Sequence, residues 1–356
     1  MATPLKILFL SAEVVPFAKT GGLGDVGGAL PKFLRALGHD VRVVLPAYRA
    51  IETDYYAGRG GYTAQPEGLL VPVRGQGRPA GVLEGRLPGT DVPVYFIGER
   101  SLFDRPELYG YDDDVYRFAF YSRAALVLAE SLGWRPDLVH AHDWHSAPAL
   151  TWLATAGQAS DFWRGVASLF TIHNLAHQGR ASWDIFNYLG LSTTALHEEP
   201  YGSVNFMARG IYHATLVNTV SPTYAREIMT PAGGAGLDGL LRHRAYDVHG
   251  LLNGLDYSVW NPATDRRLTV WEMVHQLVRA LDTSESAAAT LVARLGSQAD
   301  TARELAYRLY TLCERKKRAQ EALAYNSLVQ SWPEIVQLAR EGGEPRTQQA
   351  QVFEEE

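Results

Sequence analysis

The chain has 356 residues, 46% of them hydrophobic, with a formal net charge of −6 and one cysteine, Cys313. That length can bury a large core and suggests two domains. The mild acidity argues against a nucleic-acid-binding face over the whole chain, and a single cysteine excludes an internal disulfide. The N-terminal apolar run is too short for a signal-peptide core and no window approaches a membrane span, so a cytoplasmic protein is expected.

From residue 5 to about 230, short apolar runs alternate with helical patterns. Strands are expected at 5–11, 41–45, 93–98, 137–140, 167–172 and 215–220. Val41 to Leu45, Val94 to Ile97 and Leu169 to Ile172 are nearly continuous in apolar or β-branched residues, as in strands covered on both faces of a parallel sheet. Helices are expected at 25–37, 115–132, 146–156, 204–213 and 222–229. Asp25 suits a cap or first turn, and Gly38 a helix end. Residues 57–92, rich in Gly and Pro, read as a loop or irregular hairpin. The whole predicts an α/β fold, a Rossmann-like doubly wound parallel sheet. Beyond Asp265 the pattern turns to long helices, with Leu305, Leu309 and Leu312 on one face, and the chain ends in an acidic tail.

Lys19 to Leu30, KTGGLGDVGGAL, follows the first strand and opens a helix. Glycines let a backbone approach an anion closely, first-turn N–H groups point at it, and Lys19 adds a positive charge. Gly22 to Gly27 formally matches the dinucleotide pattern G-x-G-x-x-G. Its late start after the strand, and the lack of an acid at the end of the second strand, argue against a nicotinamide site. The bland alternative is a loop with a helix cap.

His140-Ala141-His142-Asp143-Trp144-His145 stands at the carboxyl end of a strand, where open α/β sheets bind ligands. The spacing approaches a metal motif, but Trp144 occupies the position that such a site needs for its acid, so no metal is expected. A histidine pair capping the next helix is one reading, and a polar wall for sugar hydroxyls is another. Thr171-Ile172-His173-Asn174-Leu175 ends the next strand, with His177 and Gln178 following. If the two strands are neighbours, His173 and Asp143 face one crevice. Glu13, at the end of the first strand, is a further cleft candidate. Asp112-Asp113-Asp114 reads as a dipole-complementing helix start.

These stretches together resemble the bacterial glycogen synthase and plant starch synthase family over about residues 5 to 263. The marks are SAEVVPFAKTGGLGDVGGALPKFLRALGHDVRVVLPAY, RPDLVHAHDWHSAPAL, TIHNLAHQG, NTVSPTYAREI and HGLLNGLDYSVWNPATD. The resemblance implies the N-terminal lobe of the two-lobed GT-B architecture. It also implies transfer of glucose from ADP-glucose to the non-reducing end of an α-1,4-glucan with retention, without a metal or resident cofactor. Carried over, Asp143 and His173 would be catalytic, near the transferred glucose. Lys19, Gly21 and Gly22 would face the donor diphosphate. Glu13, His142 and Asn174 would serve substrate binding, and Asn253 would belong to the junction between lobes.

The family's second-lobe blocks, which supply an Arg, a Lys and a Glu-rich motif, are not in these residues. Pro231-Ala232-Gly233-Gly234 departs where the family usually has an acidic and aromatic pair. Residues 267–340 resemble, in one block, the helical end of adenine-specific DNA methyltransferase-like proteins, without any methyltransferase core motif. The expected organisation is a lobe at 1–245, a junction at 246–266, an unrelated helical segment at 267–340 and a disordered tail at 341–356. The expectation is a synthase-like chain inactive alone. The alternatives are a glucan-binding module or a helical-tail interaction protein, with a protein partner or self-association through the leucine stripe and neither membrane nor nucleic acid.

Overall fold

The computed structural model describes residues 3–191, 196, 197, 199, 202–254 and 256, scattered residues between 274 and 307, and residues 319–340. The first half runs β1 (Lys6–Leu10), α1 (Gly22–Ala36), β2 (Asp40–Pro46), α2 (Arg49–Tyr56), β3 (Thr63–Ala64), β4 (Leu69–Val73), β5 (Gln76–Arg86), β6 (Pro93–Gly98), α3 (Arg100–Phe103) and α4 (Asp114–Ser131). It continues as β7 (Leu138–His142), α5 (Asp143–Ala154), β8 (Ala167–Ile172), β9 (Arg180–Ser182), α6 (Asp184–Leu189), β10 (Ser203–Asn205), α7 (Phe206–His213), β11 (Leu216–Thr219), α8 (Pro222–Glu227), α9 (Asp238–His243) and β12 (Val248–Gly250).

The main sheet has the order β12-β11-β8-β7-β1-β2-β6-β5-β3. From β12 to β6 every neighbouring pair is parallel, and β5 turns antiparallel against β6. Phe9, Val43, Phe96, Val139 and Phe170 are fully buried along these strands. That two-sided burial is why the strands read as unbroken apolar runs. The chain leaves β1 toward β2 and β6, then returns to place β7 on the other side of β1. Strand order therefore reverses between β1 and β7, and the crevice outside their carboxyl ends is the place for a ligand.

The six expected strands are present, with ends shifted by a few residues at most. Of the two readings of 57–92, a loop or an irregular hairpin, the hairpin is the one present. Leu69, Val71 and Val73 of β4 face the core while Leu70 and Pro72 face out, and β4 pairs antiparallel with β5. Helix α1 begins at Gly22, three residues before the expected start, with Asp25 in its first turn.

Two glycines set how closely α1 approaches the β1 exit loop. A Cβ on Gly27 would lie 2.4 Å from the Glu13 carbonyl oxygen, and one on Gly28 would lie 2.6 Å from that of Val15. No other residue permits that approach.

The chain divides into two compact units, Met1–Leu255 and Asp256–Glu356. The second has its own apolar cluster, including Val274, Leu277, Leu328, Trp332 and Ile335. Its continuous helices are α10 (Ala319–Gln330) and α11 (Trp332–Arg340), and Tyr325 Oη lies 2.8 Å from His275 Nε2. Leu305, Leu309, Leu312 and the tail 341–356 lie outside the described residues. Among the described residues no helix is long and apolar enough to cross a membrane.

Candidate active site

The exit of β1, the start of α1 and the ends of β7 and β8 surround a cleft of about 740 Å³, a size that suits a small-molecule ligand. Glu13, Gly21, Gly22, Asp143, His173 and Asn174, singled out in the sequence, line it, and so does Asn253, which was assigned to the junction between lobes. Thr20, Leu23, Tyr109, Asp114, Trp144 and His145 join them.

Glu13 organises one wall. Its carboxylate accepts the Thr20 N–H and hydroxyl, both at 2.6 Å, and the Gly21 N–H and the Tyr109 hydroxyl, both at 3.0 Å. Four donors occupy the two oxygens, so Glu13 fixes the glycine loop. Burial pushes the Tyr109 hydroxyl well above its ordinary pKa, which keeps it a donor to Glu13.

The Gly21 N–H is thus already used inside the protein. A Cβ at Gly21 or Gly22 would meet nothing within 4 Å, so both glycines border open space. The N–H groups of Gly22 and Leu23, at the first turn of the fifteen-residue α1, remain for an anion. Lys19 Nζ pairs with Asp25 at 2.6 and 2.8 Å and is not part of the cleft lining.

Asp143 opens α5 directly after β7 with φ of 54°, a left-handed conformation that is uncommon outside glycine. Its Oδ1 accepts the backbone N–H of His173 at 2.8 Å and that of Asn174 at 3.4 Å. Burial raises its pKa to about 7 despite those two donors, and the Glu13 charge adds to the rise. The carboxyl therefore changes charge near neutrality, while tying the end of β8 to that of β7.

The histidines are held neutral. Burial lowers His173 to about 4, against the opposing pull of Glu13, and lowers His140 and His145 to about 3. His140 Nε2 bonds Thr171 Oγ1 at 2.7 Å, and that hydroxyl donates to Asn218 Oδ1 at 2.6 Å. His142 is fully buried beneath the cleft and does not line it. Its ring reaches His173 instead, Nδ1 to Nε2 at 3.0 Å. Among the described residues no group of His, Cys, Asp or Glu is placed to hold a metal ion.

An aromatic wall completes the site. Trp144 stacks on His145 at 4.1 Å, and Tyr109 lies 4.8 Å from the same imidazole. Gly179, at φ +59°, lies so close to Trp144 that a Cβ there would approach the indole to 2.1 Å. Tyr109 and Thr20 carry no sequence signal of their own, and His145 was legible only as part of the histidine cluster.

A family model described as the starch synthase catalytic domain matches residues 6–243. The chain belongs to this starch and glycogen synthase family. It is 45% identical over 277 residues to glycogen synthase 1 of Geobacter metallireducens, covering 73% of this chain and 53% of that protein. It is 44% identical over 274 residues to the glycogen synthase of Moorella thermoacetica, covering 76% and 54%. Among solved structures it is similar to the catalytic domain of starch synthase IV from Arabidopsis thaliana bound to ADP and acarbose. The TM-score there is 0.70 at 32% identity, over 78% of this chain and 59% of that one. The chain spans about half the length of the curated relatives it matches. Residues 223–352 match a domain of unknown function, DUF8807, whose description carries no activity.

The turn at Pro231–Gly234 is tightly packed. A Cβ on Gly233 would lie 2.5 Å from the Glu227 carbonyl oxygen, and one on Gly234 would lie 2.4 Å from Asp238 Cβ. Larger residues do not fit this turn between α8 and α9.

Proposed function

We propose that this cleft is the half of a retaining glucosyltransferase site that holds the glucosyl group and the glucan acceptor, with ADP-glucose as donor and an α-1,4-glucan as acceptor. The observation that carries the reading is one cleft uniting the open N-terminus of α1, the Asp143 carboxyl and the His173 ring at the strand-order reversal. The starch synthase similar to this chain is described with ADP and acarbose bound, which supports a nucleotide and a saccharide as ligands.

Departure of ADP places negative charge on the diphosphate. The Gly22 and Leu23 N–H groups and the α1 dipole stabilise that charge. Asp143 and the strand-end His173 and Asn174 hold the sugar in geometry. No step of this reading calls on a metal or a resident cofactor. The family match covers residues 6–243, and the chain spans about half the length of the curated relatives it matches. On this reading residues 6–243 alone, carrying one wall of the cleft, give little turnover. Radiolabelled ADP-glucose incubated with glycogen tests this: incorporation near that of a full-length synthase would overturn the low-turnover reading.

The Tyr109–His145–Trp144 wall favours a second reading, glucan binding without transfer. Retarded migration in glycogen-containing native gels, with no incorporation of label, is its expected signature; unretarded migration rejects it.

A further inference from the structure

Beneath His173 lies a buried histidine that nothing in the proposed transfer uses. His142 is 0% exposed, with its ring 4.3 Å from that of Phe9 and 4.1 Å from that of His140. Its Nδ1 lies 3.0 Å from His173 Nε2, and its own Nε2 is buried without a hydrogen-bond partner. One proton sits between the two rings, and it belongs to one or the other.

If His173 donates from Nε2, His142 must carry its proton on Nε2, as an N–H sealed among rings with no acceptor. If His142 donates from Nδ1, only a bare ring nitrogen is left facing that wall. Orphaned buried N–H groups are rarer than unpaired acceptors. The adjacent His140 does not alter the choice. Thr171 gives its single hydroxyl proton to Asn218, so His140 donates to Thr171 from its own Nε2 and its proton points away from His142.

We infer that His142 is a positioning residue for His173: its Nδ1–H donates to His173 Nε2 and thereby fixes the His173 proton on Nδ1. The His173 Nδ1–H, in a ring that lines the cleft, is then the donor offered to an oxygen of the bound sugar. Both rings are kept neutral by burial, so the arrangement holds at physiological pH. The link to sugar rests on the function proposed above; the proton position does not.

Long-range proton–nitrogen NMR of the ¹⁵N-labelled full chain reads the tautomer directly, with the His173 signals assigned by their loss in His173→Asn. The wild type is expected to show the Nδ1–H form at His173. His142→Asn, whose amide nitrogen falls near the position of Nδ1, is expected to keep it. His142→Asp, whose carboxylate can only accept beside His173 Nε2, is expected to draw the His173 proton onto Nε2. His142→Asp should also weaken ADP-glucose about tenfold, the worth of one good hydrogen bond, while leaving ADP affinity unchanged. An Nε2–H form in the wild type, or an unchanged Nδ1–H form in a folded His142→Asp, overturns the inference. The wild-type spectrum decides even if the aspartate variant does not fold. The expected tautomers without any ADP-glucose binding would instead reject the proposed function and leave the proton assignment standing.

Discussion

Asp143 Oδ1 accepts the backbone N–H of His173 at 2.8 Å, joining residues from the ends of two adjacent parallel strands. The bond makes one buried carboxyl both a fastener of the cleft floor and a group that titrates near neutrality.

The raised pKa of Asp143 has a signed consequence for stability. Its value goes from 3.8 toward about 7 on folding. Its contribution to stability is therefore fully present below pH 3.8 and is lost as pH rises through about 7. Urea unfolding of the wild type and Asp143→Asn across pH 4 to 8 should show a stability difference that shifts against the wild type up to pH 7 and is flat above. A difference independent of pH contradicts the burial argument.

The depressed histidines act in the opposite direction. His145, at about 3 when folded and 6.5 otherwise, contributes stability that is present above pH 6.5 and lost as pH falls toward 3. Its Nδ1 is buried without a partner, and its ring packs against Trp144, Phe118 and Tyr109. His145→Phe should leave Tm at pH 7 within a few degrees and make the decline below pH 6.5 shallower. An acid limb identical to the wild type would refute this.

Glycines of one motif should separate by role. Gly27→Ala forces a methyl against the Glu13 carbonyl and should cost about 1–3 kcal/mol. Gly22→Ala points into open space at a helix start and should leave Tm unchanged or slightly raised. Thermal unfolding of both variants checks the pair, and equal losses would place the two glycines in the same role.

Glu13→Ala removes the acceptor of four donors. The expected cost is about 1–3 kcal/mol, together with faster amide exchange at Thr20 and Gly21. Unchanged exchange at those two amides would show that the loop holds its shape without the carboxylate.

The parallel core was legible because β1, β2, β6, β7 and β8 are buried on both faces and therefore write continuous apolar runs. The β4–β5 hairpin was legible only as an alternative to a loop, without strand bounds, because Pro72, Gly75, Gly77 and Pro79 interrupt a pattern whose alternation emerges only once Leu69, Val71 and Val73 are seen to face inward. The start of α1 was displaced because Gly21 caps it without any side-chain bond. Asp143, His173 and Asn174 were legible as strand ends. The division between cleft residues and buried supports was not. His142 and Asp143 are sequence neighbours, yet a change of backbone from extended to left-handed sends one under the floor and the other into the cleft. Lys19 was read as a charge on the loop, and its partner Asp25 lies six residues on, in the first turn of α1.

On the proposed function, the open N-terminus of α1 and the Asp143–His173 floor form one nucleotide-sugar site. Calorimetric titration of ADP-glucose into the wild type and Gly22→Ala checks this, because a methyl at Gly22 points into open space and intrudes only on the anion position. Single-site binding to the wild type and about tenfold weaker binding to the variant are expected, the loss of one charge-assisted backbone contact. Equal affinities for the two proteins, with Tm unchanged, would refute a shared site.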